Sequence, residues 1–386
     1  MIPYGRQEIT ESDIDYVIDV LKSDFLTQGP QVPLFEKTIS EYCSAEYAVA
    51  ANSSTSALHI ACLSLGLGKG DWLWTSPVTF VASANCALYC GANVDFVDID
   101  PHTYNLCPKK LEDKLIEAKK TNTLPKIVVP VHLCGQSCDM KSISKLSKEY
   151  GFKIIEDASH AVGGKYLNKP VGNCEYSDIA VFSFHPVKII TTGEGGMALT
   201  NNPELAKKMS LLRTHGITRD PSDMTNQPDG EWYYQQIELG HNYRMTDIQA
   251  ALGISQFKRI DEIISQRHYF ADRYDRLLSD LPLKLPYRDD EAFSSFHLYV
   301  IRIENTENHK KIFEYLRANG IGVNLHYIPV YRHPYYSKNI NSFDDFPESE
   351  LYYSSAISIP LYPNIGENNQ DVVVKKLTDF FKLKEI

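Results

Sequence analysis

Three side chains that could act as acid, base or nucleophile follow two apolar runs in the middle of the chain. Asp157 and His160 come directly after the run 153–156, and Lys188 follows the run 179–183. Apolar runs of this length are typical of buried strands, and ligands of open α/β sheets gather where such strands end. A lysine amine at that edge can form a Schiff base, and a carboxylate can hold a protonated nitrogen.

A Ser/Thr-rich segment, residues 52–57, follows another predicted strand and opens a predicted helix. Its free backbone N–H groups and hydroxyls converge at the positive end of the helix dipole, which favours phosphate binding. Taken alone, the segment is equally compatible with an N-cap that holds no ligand.

Residues 66–70 are rich in glycine, but they come after a helix and before a strand, the reverse of a dinucleotide-binding turn. We interpret them as a helix-ending loop.

The lysine, the carboxylate and the phosphate segment together match the needs of pyridoxal phosphate (PLP). The amine forms the Schiff base, the carboxylate keeps the pyridine nitrogen protonated, and the helix terminus holds the phosphate. Taken singly, each residue has an ordinary interpretation, because most lysines are solvated at the surface and an aspartate often caps a strand end.

These side chains need a scaffold that brings several strand ends together. Between residues 47 and 200, short apolar runs alternate with longer amphipathic ones, the pattern of a parallel sheet with crossover helices. The predicted strands are 47–51, 72–75, 94–97, 126–131, 153–156, 179–183 and 197–199.

The remaining chain predicts a smaller second unit. One long helix is expected after the cap pair Thr246 and Asp247 and extends past Ile264. The carboxyl third predicts a strand at 296–303, a helix at 310–318 and a terminal helix with its apolar face on Val373, Leu377 and Phe381. Residues 217–230, which contain prolines and a glycine, predict a mobile loop.

We therefore expect two domains. Residues 1–250 comprise an N-terminal segment and a large PLP-binding α/β domain. Residues 251–386 comprise a bridging helix and a small α+β domain.

Composition excludes several classes of protein. The 386 residues include 39 Lys and Arg against 49 Asp and Glu, a formal net charge of −10 without a clustered basic face, which argues against nucleic-acid binding. No apolar stretch reaches about 18 residues, the length of a membrane span, and the amino end has no apolar signal-peptide core. We expect a cytoplasmic protein that binds no membrane.

Metal binding is not expected. The eight cysteines form no C-x2-C pair and lack a matching histidine set, so we interpret most of them as small buried hydrophobes. His326 and His333 lie seven residues apart without a third ligand.

Six segments in combination resemble the DegT/StrS-type sugar-nucleotide aminotransferases: NSSTSAL at 52–58, TFVA at 79–82, EDASHA at 156–161, FSFHPVK at 182–188, TGEGG at 192–196 and GHNYRM at 240–245. The similarity extends over nearly the whole chain, from residue 28 to residue 361. The resemblance implies a PLP-dependent aminotransferase of fold type I. This fold has a large, mostly parallel sheet with helices on both faces and a smaller C-terminal α+β domain. It also implies a homodimer with shared active sites.

The resemblance assigns roles residue by residue. Lys188 matches the Schiff-base lysine, Asp157 the partner of the pyridine nitrogen, and His160 its polar neighbour. Phe80 falls where the family stacks an aromatic ring on the cofactor. The remaining matches are Ser54, Thr55 and Ser183 at the phosphate, Asn242 reaching the phosphate from the other subunit, and Thr27, His326 and Tyr327 near the sugar nucleotide.

The phosphate segment also indicates a branch of the family. Residues 52–56 depart from the Ser-Gly-Thr turn of many members and, with residues 26–29, 159–161 and 184–188, resemble the pseudaminic-acid branch. That branch aminates the C4 ketone of UDP-2-acetamido-2,6-dideoxy-β-L-arabino-hexos-4-ulose. L-Glutamate is the donor, and the products are 2-oxoglutarate and UDP-4-amino-4,6-dideoxy-N-acetyl-β-L-altrosamine.

Three alternatives remain open. C4 transamination of a GDP-perosamine or UDP-bacillosamine type uses the same chemistry, and the sugar contacts lie on loops that the sequence does not place. A sugar dehydratase is disfavoured because members with that activity replace the lysine that this chain keeps as Lys188. A PLP-binding regulator would not react with glutamate.

Overall fold

A seven-stranded sheet forms the centre of the structure, a computed structural model that describes residues 1–339 and 342–382. Five strands are parallel neighbours, in the order β6-β5-β4-β2-β3. The strand β7 pairs antiparallel with β6 on one side and with β1 on the other. The strands are β1 (Tyr47–Ala51), β2 (Trp72–Thr75), β3 (Asn93–Phe96), β4 (Ile127–Val129), β5 (Lys153–Asp157), β6 (Ile179–Ser183) and β7 (Gly196–Thr200).

All seven predicted runs are strands, and their ends differ by at most two residues from the prediction. The largest difference is the run 126–131, of which only Ile127–Val129 is a strand. Pro130 has no N–H to continue the ladder, and Val131 makes only an isolated bridge with Asp157. The mostly parallel sheet is confirmed.

Helices cover both faces of the sheet, which explains why its central strands are apolar throughout. In β6, Phe182 packs in a cluster with Phe35 and Ile254, whereas Val181 points to the opposite face, into a cluster with Leu58. The helices are Glu11–Leu21, Gln31–Cys43, Ser54–Ser64, Ala82–Tyr89, Pro108–Thr121, Met140–Tyr150, Pro203–Leu212, Asp247–Phe257, Ile260–Leu278, His309–Ala318, Pro347–Tyr353 and Glu367–Lys382.

The single long helix predicted after Thr246 is wrong, because two helices, Asp247–Phe257 and Ile260–Leu278, occupy this region. Thr246 does cap the first helix. At Arg259 the backbone leaves helical geometry, and its guanidinium lies 2.9 Å from the buried carboxylate of Asp13. The break thus lies at a residue that is anchored to the N-terminal segment.

The carboxyl third has its own antiparallel sheet and apolar cluster. Its strands are Leu283–Lys284, Tyr299–Ile303 and Ala356–Ile359, with Tyr299–Ile303 in the middle. The predicted strand at 296–303 starts late because Phe296 adopts a positive φ of 49°. On the terminal helix, Val373 and Leu377 are buried as predicted, but the third core residue is Phe380 rather than Phe381. The domain division at residue 250 stays a prediction.

The segment predicted as a loop, residues 217–230, begins with a short strand. Ile217–Thr218 pairs with Gln235–Gln236, and turns connect them. A further small sheet joins Lys165–Tyr166, Lys169–Pro170 and Ala292–Phe293. Within residues 1–339 and 342–382, no helix is long and apolar enough to cross a membrane.

Candidate active site

The strand ends of the central sheet bring the predicted chemical groups to one edge. Asp157 is the last residue of β5, and the loop carrying Lys188 follows the parallel neighbour β6. The strand β1 runs in the same direction as β6, because both pair antiparallel with β7. The helix Ser54–Ser64, which follows β1, therefore starts at this same edge.

Gly196 joins the phosphate segment to Ser183. In the sheet register it pairs with Ala51 on one side and with Ser183 on the other. A Cβ atom at this position would lie 2.4 Å from the backbone nitrogen of Ser54. Only glycine therefore allows β7 to approach the start of the helix this closely, and the first N–H groups of that helix stay beside the buried Ser183.

The start of this helix is itself ordered by short hydrogen bonds. Ser53 caps the helix by accepting from the backbone N–H of Ser56 at 3.1 Å. The backbone N–H of Asn52 donates to the carbonyl of Tyr243 at 2.8 Å, which packs the loop of Asn242 against the segment. The backbone of this loop thus packs against the phosphate segment of its own chain, whereas the Asn242 side chain is exposed.

Burial favours the neutral form of the Lys188 amine. Burial lowers the pKa of Lys188 to about 8, against opposing contributions from the Asp157 carboxylate and the Cys134 thiol. At that pKa roughly a tenth of the amine is neutral at pH 7, far more than for a surface lysine. The amine is thus prepared to act as nucleophile and base.

Asp157 is 5% exposed and receives two hydrogen bonds through its carboxylate. The Ser83 hydroxyl donates to Oδ2 at 2.6 Å, and the backbone N–H of Ser159 donates to Oδ1 at 3.2 Å. The backbone of Asp157 is held as well, because its carbonyl accepts from the N–H of His132 at 3.1 Å. The carboxylate is therefore fixed in position and retains lone pairs for a ligand.

His160 is neutral, and its hydrogen bonds define which nitrogen carries the proton. Burial, followed by the charge of Lys188, lowers its pKa well below the usual range. Its Nδ1 accepts from the backbone N–H of Cys134 at 3.2 Å, so the proton is on Nε2, which donates to the Tyr327 hydroxyl at 3.0 Å. Tyr327 keeps its own hydroxyl proton for a further acceptor.

His326 lies beside Tyr327, but both of its ring nitrogens are engaged within the protein. Nδ1 donates to the Ser358 hydroxyl at 2.8 Å, and Nε2 accepts from the Asn324 amide at 3.3 Å. Burial lowers the pKa of His326 to about 3, with a smaller contribution from Lys188. His326 therefore holds the Tyr327 loop in place, and its predicted contact with a sugar nucleotide stays a prediction.

Phe80 and Thr27 lie at the surface. The Phe80 ring is 58% exposed, and its centroid is 6.1 Å from that of Tyr327, so one ring face is open to a planar ligand. Thr27 is exposed and forms a backbone bridge with Thr246. None of its contacts within the described residues joins it to the cluster around Lys188.

The structure adds three residues that sequence reasoning missed: Ser83, Cys134 and His297. His297 is buried, its ring centroid is 4.4 Å from that of His160, and its Nδ1 has no hydrogen-bond partner among the residues that the structure describes. The only available sequence signal is the position of Ser83, four residues after Thr79 and just beyond the TFVA segment.

Across the described ranges, no three His, Cys, Asp or Glu side chains form a group that could hold a metal ion.

These residues fit pyridoxal phosphate. The edge offers a lysine with a lowered pKa, a buried carboxylate that only accepts hydrogen bonds, and a helix N-terminus cradled by glycine. An exposed aromatic ring lies on the same side of the sheet edge as Tyr327. Each element has a counterpart in the cofactor: aldehyde, pyridine nitrogen, phosphate and ring face.

Known proteins agree with this geometry. The model of the DegT/DnrJ/EryC1/StrS aminotransferase family matches residues 7–378. Spore coat polysaccharide biosynthesis protein SpsC from Bacillus subtilis is 37% identical over 387 residues, covering 99% of this chain and 97% of its own length. UDP-4-amino-4,6-dideoxy-N-acetyl-β-L-altrosamine transaminase from Campylobacter jejuni is 38% identical over 394 residues, covering 100% and 98%. Helicobacter pylori PseC, an aminotransferase involved in the biosynthesis of pseudoaminic acid, matches with a TM-score of 0.90 at 32% identity, covering 99% of each chain.

The chain therefore belongs to the DegT/DnrJ/EryC1/StrS aminotransferase family. Enzymes of this family depend on PLP, and this protein is a PLP-dependent sugar aminotransferase. The fold type and the cofactor expected from the sequence are confirmed. The roles of individual residues stay predictions.

Proposed function

We propose that this protein aminates the C4 ketone of a UDP-linked 4-keto-6-deoxy amino sugar with L-glutamate as donor. The proposed substrate is UDP-2-acetamido-2,6-dideoxy-β-L-arabino-hexos-4-ulose, and the product is UDP-4-amino-4,6-dideoxy-N-acetyl-β-L-altrosamine. The observation that carries this proposal is full-length similarity to the C. jejuni transaminase, supported by the H. pylori PseC structure. The pairing of Lys188 with Asp157 at one sheet edge supports the transamination itself.

Bound PLP supplies an electron sink for the negative charge that develops on the amino-donor carbon. Asp157, fixed in position by its buried hydrogen bonds, would accept from the pyridine nitrogen and hold it protonated. Lys188 is the residue that would hold the cofactor, and its amine would move a proton to and from the reacting carbon. Its pKa of about 8 supports both tasks, because the amine must lose and regain a proton near neutral pH.

The cofactor's other contacts come from the remaining predicted residues. Ser54, Thr55 and Ser183 would hold the phosphate at the helix N-terminus, and the exposed ring of Phe80 would stack on the cofactor. His160 is neutral and linked to Tyr327, so it orients that hydroxyl without adding a charge to the site. Thr27, His326 and Tyr327 lie on the proposed sugar side.

The proposed enzyme is a homodimer in which Asn242 of one subunit contacts the phosphate held by the other. The Asn242 side chain is exposed, although its backbone packs on the phosphate segment of its own chain. The segment just before it exposes Trp232 at 75%, Tyr234 at 52% and Leu239 at 79%, an apolar surface that a second copy would cover.

Absorbance spectra followed by product analysis test the proposal. The purified holoenzyme should lose its visible cofactor band on addition of L-glutamate and regain it on addition of the UDP-linked keto-sugar. Mass spectrometry and NMR should then identify the 4-amino sugar. No spectral change with glutamate would indicate a regulator, and turnover of a GDP-linked or a different UDP-linked keto-sugar instead would overturn the substrate assignment.

A second candidate is the same reaction on a different nucleotide sugar. The chain is as similar to SpsC of B. subtilis, a spore coat polysaccharide biosynthesis protein, as to the C. jejuni transaminase. Another nucleotide sugar of the GDP-perosamine or UDP-bacillosamine type would be aminated by the same residues. Parallel assays with these keto-sugars therefore belong to the same experiment.

A further inference from the structure

Ser83 contacts the proposed acid–base site from a helix that carries none of its predicted catalytic residues. It belongs to the helix Ala82–Tyr89, is fully buried, and its hydroxyl lies 2.6 Å from Oδ2 of Asp157. The Thr79 hydroxyl, also buried, lies 2.8 Å from the Ser83 hydroxyl. Two hydroxyls thus form a chain that ends on the carboxylate.

The carboxylate determines which hydroxyl donates in each of these two hydrogen bonds. An ionised carboxylate only accepts hydrogen bonds, so Ser83 must donate to Asp157. The Ser83 oxygen is then free to accept, and the Thr79 hydroxyl donates to it. The alternative acceptor for Ser83, the carbonyl of Phe80, is 3.4 Å away and competes poorly with a bond of 2.6 Å to a charge.

The consequence concerns how the Asp157 carboxylate is held. A carboxylate accepts through both oxygens, and each hydrogen bond donated to it restricts its rotation. Within the described residues, Ser83 supplies the shorter of the two bonds that this carboxylate receives, and Ser159 supplies the other at 3.2 Å. Without Ser83, Oδ2 would lose the donor that these residues give it, and the carboxylate would be free to rotate.

We propose that Ser83 is a positioning residue for the transamination proposed above: its hydroxyl holds the Asp157 carboxylate in the orientation in which it would accept from the pyridine nitrogen of the bound cofactor. This inference rests on the proposed role of Asp157. Ser83 also ties the carboxylate to the helix that starts beside Phe80. The start of this helix therefore links the proposed partner of the pyridine nitrogen to the residue that would stack on the cofactor.

Two substitutions separate hydrogen bonding from packing. Ser83→Ala removes the hydroxyl, and Ser83→Cys keeps the shape but replaces a strong donor with a weak one. Ser64→Ala is the matched control. Ser64 is also buried in a helix, but its hydroxyl donates to the carbonyl of Ala61 at the end of that helix away from the site. Asp157→Asn gives the reference for losing the carboxylate charge itself.

The experiment measures kcat and KM in each half-reaction, the visible spectrum of the holoenzyme, and the affinity of the apoenzyme for PLP. We expect kcat to fall about tenfold in both S83A and S83C, with KM for glutamate and keto-sugar changed less than about twofold. The PLP dissociation constant should rise about tenfold and the cofactor band should shift, whereas S64A should match the wild type.

Two results would overturn the inference. If S83C matched the wild type in spectrum, PLP affinity and kcat, then Ser83 would serve packing alone. If S83A and S64A lost activity equally without a spectral shift, the effect would be general destabilisation. If D157N is slow but S83C has normal rates, only the proposed role of Ser83 is wrong. If D157N turns over at the wild-type rate, the proposed role of Asp157 is wrong.

Discussion

The two sides of the proposed active site differ in how completely one chain builds them. Around Asp157, the carboxylate is buried and both oxygens accept hydrogen bonds from the same chain. Around Asn242, the side chain is exposed and the preceding segment presents Trp232 and Leu239 to solvent. Acid–base groups need fixed geometry and a controlled dielectric, which a folded core supplies, whereas a phosphate contact can be completed by association.

Replacing Lys188 tests the side that one chain completes, and it should have the largest effect. Lys188→Ala removes the proposed covalent attachment and the proton carrier, so turnover should fall at least about 10⁴-fold. Borohydride reduction of the wild-type holoenzyme, followed by peptide mass spectrometry, should locate the cofactor on the peptide containing residue 188. A tag on a different lysine would assign the role elsewhere.

Asp157→Asn changes the same side without altering its shape. The amide cannot hold the pyridine nitrogen protonated, so both half-reactions should slow by about 10²- to 10³-fold while PLP still binds. Stopped-flow absorbance with glutamate and then with keto-sugar measures each step. Unchanged rates would remove Asp157 from the proposed mechanism.

Asn242 tests the side that, in our proposal, a second subunit completes. Asn242→Ala should weaken PLP binding by about tenfold or more, because a hydrogen bond to a charged phosphate is lost. When this variant exchanges subunits with Lys188→Ala, half of the dimers should contain one subunit of each kind. Each such dimer has one intact site if Asn242 acts across the interface.

Mixing should therefore restore activity to about a quarter of the wild-type value, assayed at a PLP concentration that leaves Asn242→Ala unloaded. Either variant incubated alone is the control. No recovery after verified subunit exchange would show that Asn242 serves its own subunit or no site.

The pH dependence of PLP attachment should give the smallest effect. The pKa of Lys188 is lowered to about 8, so its neutral fraction rises as the pH approaches that value and levels off above it. The rate of PLP attachment to the apoenzyme should thus increase about fivefold from pH 7 to pH 8 and little beyond pH 9. A rate still rising steeply at pH 10 would contradict the lowered pKa.

Much of the site was predictable because its residues sit next to strong local signals. Asp157 and Lys188 follow buried apolar runs, and a residue after a parallel strand must lie at one edge of the sheet. The break at Arg259 was not visible in the apolar spacing, and the ion pair that Arg259 makes with Asp13 joins residues 246 positions apart. The engagement of both His326 nitrogens likewise depends on Ser358, on a neighbouring strand.

The sequence by itself indicated the fold family and the cofactor, because apolar periodicity and short motifs are local properties, and it predicted Asp157 and Lys188 as the central residues of the site. Only the tertiary structure decided the reversed direction of β7, which sets Gly196 between Ala51 and Ser183. It alone decided the bond from Ser83 to Asp157, 74 residues away. Such contacts arise when distant segments pack, and packing selects among many pairings that local sequence leaves equally possible.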